Sequence, residues 1–319
     1  MIRSAFRVLA LSASLFAGCQ IALADSIKLA DGFDGSDFAK EGGLYYKDNA
    51  EQKAGVVEFQ KDVVHSGTGA LKLSVKPLCA ASDEDCSERA EIWERTKLRP
   101  PYDEGVWYGF AVKFAEPIPR DDHRYLIAQW KREIEPGAEG DFSPFLALRL
   151  RNGKLFATVE TNFRPGLAGA KMTGAGACAP KGVPVFLRPD TNQMRALVAA
   201  DANWKIEDGD YFDGCTDAIT VTKHADLPTP DSGWIDFAIL TKPGADGSGH
   251  IEIFANGKPV VTVKGMIGHN DKGLGKNQYF KFGPYRAGHS TDWTVYYDDF
   301  RRSPDCPDVL KNGVCPVGG

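Results

Sequence analysis

Hydrophobic and polar residues alternate along most of this chain with a period of two rather than 3.6. Residues 70–75 (Ala-Leu-Lys-Leu-Ser-Val), the aromatic run 106–114 and residues 145–151 (Phe-Leu-Ala-Leu-Arg-Leu-Arg) read as strands with branched or aromatic side chains on one face. Asn152-Gly153 joins the last of these to 154–162, and Asn256-Gly257 joins 250–255 to 259–264, both as hairpins. Residues 234–240 and 293–300 complete the set. About ten to twelve strands with hairpin connections and almost no long helix predict an all-β fold. The expected form is an antiparallel two-sheet sandwich, a concanavalin-like β-jelly roll, whose concave face is open to a long ligand.

The segment 165–232 breaks this rhythm, being rich in Gly, Ala and Pro. A weak helical stretch is expected at 191–200, with Asp190 as its cap. The excursion is too long for a simple connection. It is either one wall of a groove or a surface insertion that never meets ligand.

Residues 1–24 have the anatomy of an export signal: Arg3 and Arg7, an apolar run over 8–17, and Ala22-Leu23-Ala24 before Asp25. A rival lipoprotein box ends at Cys19 but is disfavoured by Phe16 and by the apolar residues that follow. A secreted or periplasmic protein is expected, with a single domain over 25–319. Loss of Cys19 leaves six cysteines, an even number for an oxidising compartment. Proximity suggests Cys79 with Cys86, Cys178 with Cys215 and Cys306 with Cys315, a guess from spacing among about 15 pairings. None of the six has the spacing of a zinc or thioredoxin site. The net charge of −5 argues against a nucleic-acid partner. No other run reaches the ~18 apolar residues of a membrane span, and a monomer is expected.

Candidate chemistry lies on three short runs. A strand over 279–286 turns Tyr279, Lys281, Gly283 and Tyr285 to one face. Arg89-Ala90-Glu91 pairs a guanidinium with a carboxylate, and Gln129-Trp130-Lys131 an amide with an ammonium. Together they predict a cationic, hydrogen-bonding floor suited to an anionic sugar polymer.

In order and spacing, Arg89-Ala90-Glu91-Ile92, Gln129-Trp130-Lys131 and Tyr279-Phe280-Lys281-Phe282-Gly283-Pro284-Tyr285 resemble the three signature strands of jelly-roll polysaccharide lyases. The likeness is to alginate lyases, heparin-lyase-I-like enzymes and glucuronan lyases, and it extends over about residues 33–300. Trp234 to Phe237 and Tyr296 to Phe300 add to it. The resemblance implies β-elimination at a uronic acid. Gln129 and Arg89 would hold the sugar carboxylate, Tyr285 would act as acid or as both acid and base, and Lys281 and Arg286 would bind neighbouring acidic units. Glu91 would pair with Arg89 or a lysine to orient the floor beside Tyr279.

One position departs from the family: Lys131 stands where the others carry histidine. Lys131 must lose a proton to act as base; otherwise the base is Tyr285 alone, or His123 from the preceding loop. His65 reads as a turn residue, and His224, His250, His269 and His289 as surface positions. No cofactor is required. Asp298 and Asp299 offer hard ligands to a structural calcium ion but fall short of the six to eight oxygens it takes. Trp107, Trp130 and Trp204 are sugar platforms if exposed, although core is their usual place. A non-catalytic carbohydrate-binding protein, a glycoside hydrolase and a structural envelope protein are the rival readings.

Overall fold

The computed structural model describes residues 28–83, 85–138, 142–162, 170–173, 177–178, 182–209 and 211–316. The expected signal, 1–24, and Cys19 lie outside them. Two antiparallel sheets face each other, one of nine strands and one of twelve, and neither closes into a barrel. This is the jelly-roll sandwich expected. The strand count exceeds the expected dozen because pieces of two to four residues, such as Glu88–Arg89 and Ile92–Glu94, are too short to register as alternation.

The nine-stranded sheet centres on Val106–Phe114, between Ile235–Lys242 and Trp293–Ser303. The twelve-stranded sheet carries Gln193–Ala200, Lys154–Asn162, Leu146–Arg151, Tyr125–Ile134, Leu274–Arg286 and Ile92–Glu94 as neighbours in that order. Between the sheets the inward half of each alternating strand forms one core. Phe110, Trp130, Phe280, Phe282, Tyr297 and Phe300 sit at its centre, with ring centroids 4.6 to 6.4 Å apart. Trp107 and Trp130 are buried, so neither is a sugar platform; Trp204 is half-buried against Phe156.

Both hairpins form. Asn152 and Gly153 have φ of 52° and 72°, and Asn256 and Gly257 51° and 75°, the left-handed pair that a two-residue turn between twisted strands requires. The expected helix over 191–200 does not form. A short turn at Pro189–Thr191 leads into the strand Gln193–Ala200. Met194, Ala196 and Val198 enter the core while Arg195 faces out, and pairing to strands on both sides overrides the helix propensity of Ala, Leu and Arg. Within 165–232, the described strands from Ala170 to Thr216 therefore extend the twelve-stranded sheet, and Ile219–Lys223 joins the edge of the nine-stranded one. All three proximity-paired disulfides are present, and Cys178–Cys215 lies within this extension. Among the described residues no helix is long and apolar enough to cross a membrane.

Candidate active site

The three runs singled out above are neighbours in the sheet. Tyr285 pairs with Arg89 on one side and Leu126 on the other, and Lys281 pairs with Gln129. Phe280 and Phe282 fill the core, so Tyr279, Lys281 and Tyr285 take the outer face. A bulge between Phe282 and Tyr285 adjusts the register, and Gly283 makes it possible: its φ is 127°, and an added Cβ would lie 2.1 Å from the Ala90 carbonyl oxygen.

The phenol of Tyr285 sits among cations. The Arg89 guanidinium lies 4.1 Å from its ring centroid and that of Arg124 5.1 Å. Ser87 Oγ is 3.4 Å from the phenolic oxygen and accepts from Arg89 at 3.3 Å. Burial works against the Arg89 charge, but Glu91, Tyr285 and Glu51 outweigh it and keep its pKa above the usual value.

Beneath lies a buried layer organised by Glu91. Its carboxylate accepts from the Gln129 amide and from Lys281 Nζ at 2.9 Å, and stands 3.7 Å from Arg89. Burial lowers the Lys281 pKa, against the pull of Glu91. The Lys281 ammonium also lies 4.4 Å from the Trp93 ring, which stacks on Tyr279. This layer fixes where Arg89 and Tyr285 stand.

Several expected contacts take other places. Gln129 and Lys281 are each 2% exposed and bonded to Glu91, and Tyr279 is 5% exposed, packed against Trp93 and Arg99. Arg286 is 1% exposed, because it alternates to the face opposite Tyr285, where its Nε donates to Glu88 at 2.6 Å. It cannot bind a neighbouring acidic unit. Lys131 pairs with Tyr279, six residues before Tyr285, roughly 15–20 Å away along a strand rising ~3.3 Å per residue. The structure does not bring Lys131 to the phenol.

His123 stands close by, but its ring nitrogens are already turned on oxygen acceptors, Nδ1 on Asp121 at 3.2 Å and Nε2 on the Ala81 carbonyl at 3.2 Å. His289 approaches the other Asp121 oxygen at 3.2 Å. His269 is a buried residue, not a surface one, and burial lowers its pKa. Asp298 and Asp299 spend their carboxylates on donors: the backbone N–H groups of His65 and Ser66 for Asp298, and His65 Nδ1 and Ser66 Oγ for Asp299. Cys79, Asp83 and Cys86 have metal-like proximity, but the disulfide has consumed both sulfurs.

Sequence reasoning missed the rest of the cationic face. A cleft of about 350 Å³ adjoins the site, lined by Arg124, Arg149, Arg151, Arg195, Phe186 and Tyr211 among others. Arg149 and Arg151 were visible in the Leu-Arg-Leu-Arg alternation; Arg195 was hidden by the helical reading of its strand. Phe186, Arg195 and Tyr211 all come from 165–232, so part of that segment walls the cleft.

Three comparisons bear on this geometry. No curated protein sequence matches the chain. Among solved structures, the endo-β-1,4-glucuronan lyase of the fungus Trichoderma reesei superposes with a TM-score of 0.58 at 17% identity, covering 91% of this chain and 100% of that one. The cellulose-induced protein Cip1 follows at 0.46 and 15%, over 90% and 100%. The first likeness supports the sandwich fold. A family pattern described as "Polysaccharide lyase" matches residues 39–301, the span that carries every strand of the Tyr285 site, and by that match the chain is a lyase belonging to the polysaccharide lyase family.

Proposed function

We propose that this protein is an exported enzyme that cleaves a uronate-bearing polysaccharide within the chain by β-elimination at Tyr285. The observation that carries the reading is the Tyr285 phenol, partly exposed and flanked by the guanidinium groups of Arg89 and Arg124. Three disulfides support passage through an oxidising compartment.

The chemistry follows from those groups. A uronate carboxylate docks on Arg89, a partly exposed cation (17% of its side chain) beside the phenol. Its charge stabilises the enolate-like carboxylate that develops as the C5 proton leaves, and donors fixed in advance at such a point are usually the largest catalytic contribution. Tyr285, entering as the phenolate, takes the C5 proton; the C–H electron pair becomes the C4–C5 double bond, and the C4–O4 bond breaks with its electron pair leaving on O4. The same phenol then returns its proton to O4. A tyrosine working as both base and acid fits a site where Lys131 is remote and both His123 nitrogens are turned on oxygens. The two guanidinium groups stabilise the phenolate during the transfer. Gln129 serves from below, by holding Glu91 and through it Arg89.

Elimination leaves an unsaturated uronate that absorbs in the near ultraviolet. The purified mature protein, mixed with a panel of uronate polymers beginning with glucuronan, is expected to raise this absorbance with at least one of them. Tyr285→Phe is expected to abolish the rise while binding persists. Binding without turnover by the wild type across the panel would move the assignment to a carbohydrate-binding protein.

A further inference from the structure

Elimination asks Tyr285 to enter as a phenolate, and a side chain outside the three motif runs touches its oxygen: Ser87 Oγ, at 3.4 Å. Alternation puts it there. Ser87 precedes Glu88–Arg89, the two-residue strand paired with Tyr285 and Arg286, so Ser87 and Arg89 turn to the face of the phenol while Glu88 turns to the buried face.

The backbone at this point is held from three sides. On the buried side the Glu88 carboxylate accepts from Arg286 Nε at 2.6 Å and from the backbone N–H groups of Leu78 at 2.6 Å and Cys79 at 3.2 Å. The Cys79–Cys86 disulfide fixes the residue just before Ser87. From the cleft, Arg124 donates to the Cys86 carbonyl at 2.8 Å while lying over the Tyr285 ring.

The donors around Ser87 set the direction of its hydroxyl. Arg89 Nη2 donates to Ser87 Oγ at 3.3 Å. A guanidinium offers no acceptor in return, so the serine proton is free to point at the phenolic oxygen. That bond strengthens when its acceptor ionises, and such bonds are often long before substrate docks and tighten in the reacting complex.

We propose that Ser87 is a catalytic residue, whose hydroxyl donates to the Tyr285 oxygen and holds it as the phenolate that takes the C5 proton. Ser87 keeps its own proton throughout. The inference rests on the elimination reading and adds a residue to it. The charged groups around the phenol are Arg89 and Lys281, Arg124 from the segment before Tyr125–Ile134, and Arg149 from Leu146–Arg151, with Glu51 and Glu91 behind Arg89. His123 and Asp121 stand beyond Arg124. Ser87 variants leave all of these in place, so their titration cancels in a comparison with the wild type.

The test measures kcat and KM against pH on a uronate polymer that the wild type cleaves, for wild type, Ser87→Ala and Ser87→Thr. Ser87 is half-buried, so Ser87→Ala should fold normally. It is expected to lower kcat about tenfold on the acid side of the profile with KM within twofold, and to move the acid limb of kcat/KM up by about one pH unit, the size of one hydrogen bond to a charged group at a partly wet site. The deficit should close at high pH, where the phenol ionises without help. Ser87→Thr, which keeps the hydroxyl, is expected to stay within threefold of wild type. An unmoved acid limb in Ser87→Ala, whether kcat is unchanged or falls equally at every pH, would overturn the role and leave the lyase reading intact; so would a Ser87→Thr as slow as Ser87→Ala. If the wild type eliminates nothing, tyrosinate absorbance decides, taken as the difference between each protein and the same protein carrying Tyr285→Phe. A phenolate that forms about one pH unit later in Ser87→Ala supports the hydrogen bond, and coincident titrations overturn it.

Discussion

Replacing Glu91 by glutamine tests whether a buried charge layer holds the active face in place. The Glu91 and Lys281 side chains are 1% and 3% exposed, and their ion pair spans 2.9 Å. Removing one partner of a buried pair typically costs ~3–5 kcal/mol, because the other charge is left without compensation. The mutant can escape by deprotonating Lys281. At pH 7 that costs about 4.6 kcal/mol, from a reference lysine pKa of ~10.4 and ~1.36 kcal/mol per pH unit. The expected loss is therefore ~3–4.5 kcal/mol at pH 7. At pH 9 the same escape costs only about 1.9 kcal/mol, so the loss should shrink. The sign follows from proton counting: with Lys281 neutral in the folded mutant and protonated in the unfolded chain, the unfolded state binds more protons, and stability rises with pH up to the unfolded lysine pKa. Urea unfolding of wild type, Glu91→Gln, Lys281→Met and the double mutant at pH 7 and pH 9 measures this. The double mutant should recover much of the loss. A Glu91→Gln penalty below ~1 kcal/mol, or one independent of pH, would refute the reasoning.

Two further substitutions probe the bulge and the facing sheet. Gly283→Ala places a Cβ 2.1 Å from the Ala90 carbonyl at a φ of 127°. It should cost more than ~2 kcal/mol and lower kcat by disturbing Tyr285, and an unchanged melting temperature would contradict that. Asp298 has its pKa raised to about 6 by burial, ahead of the opposing backbone hydrogen bonds from Ser66 and His65. A raised carboxyl pKa gives stability that is full below the unfolded value and lost as pH rises through about 6. Between pH 7.5 and pH 5 the wild type should therefore gain melting temperature relative to Asp298→Asn; parallel curves would refute the assignment.

How much of the site was legible depended on whether it lay along one strand or across several. Tyr279, Lys281 and Tyr285 share a face because side chains alternate along a strand, and that is local information. Their depth is not local. Trp93, from a three-residue strand, covers Tyr279 and Lys281, and Glu91 draws Lys281 and Gln129 inward, so groups expected to meet substrate instead support Arg89. The same holds for Lys131. Its place in the motif matched the family's histidine, but register sets it opposite Tyr279 and far from the phenol.

By itself the sequence determined the two-sheet sandwich, its hairpins and the phenol at position 285, because period-two alternation, Asn-Gly turns and one aromatic motif are written in consecutive residues. Tertiary structure alone decided which cations reach that phenol, which are buried beneath it, and that Phe186, Arg195 and Tyr211 line the adjoining cleft. Register, bulges and burial arise from pairing between segments tens to hundreds of residues apart, and no short window of sequence carries the desolvation that turns a surface lysine into a buried ion pair.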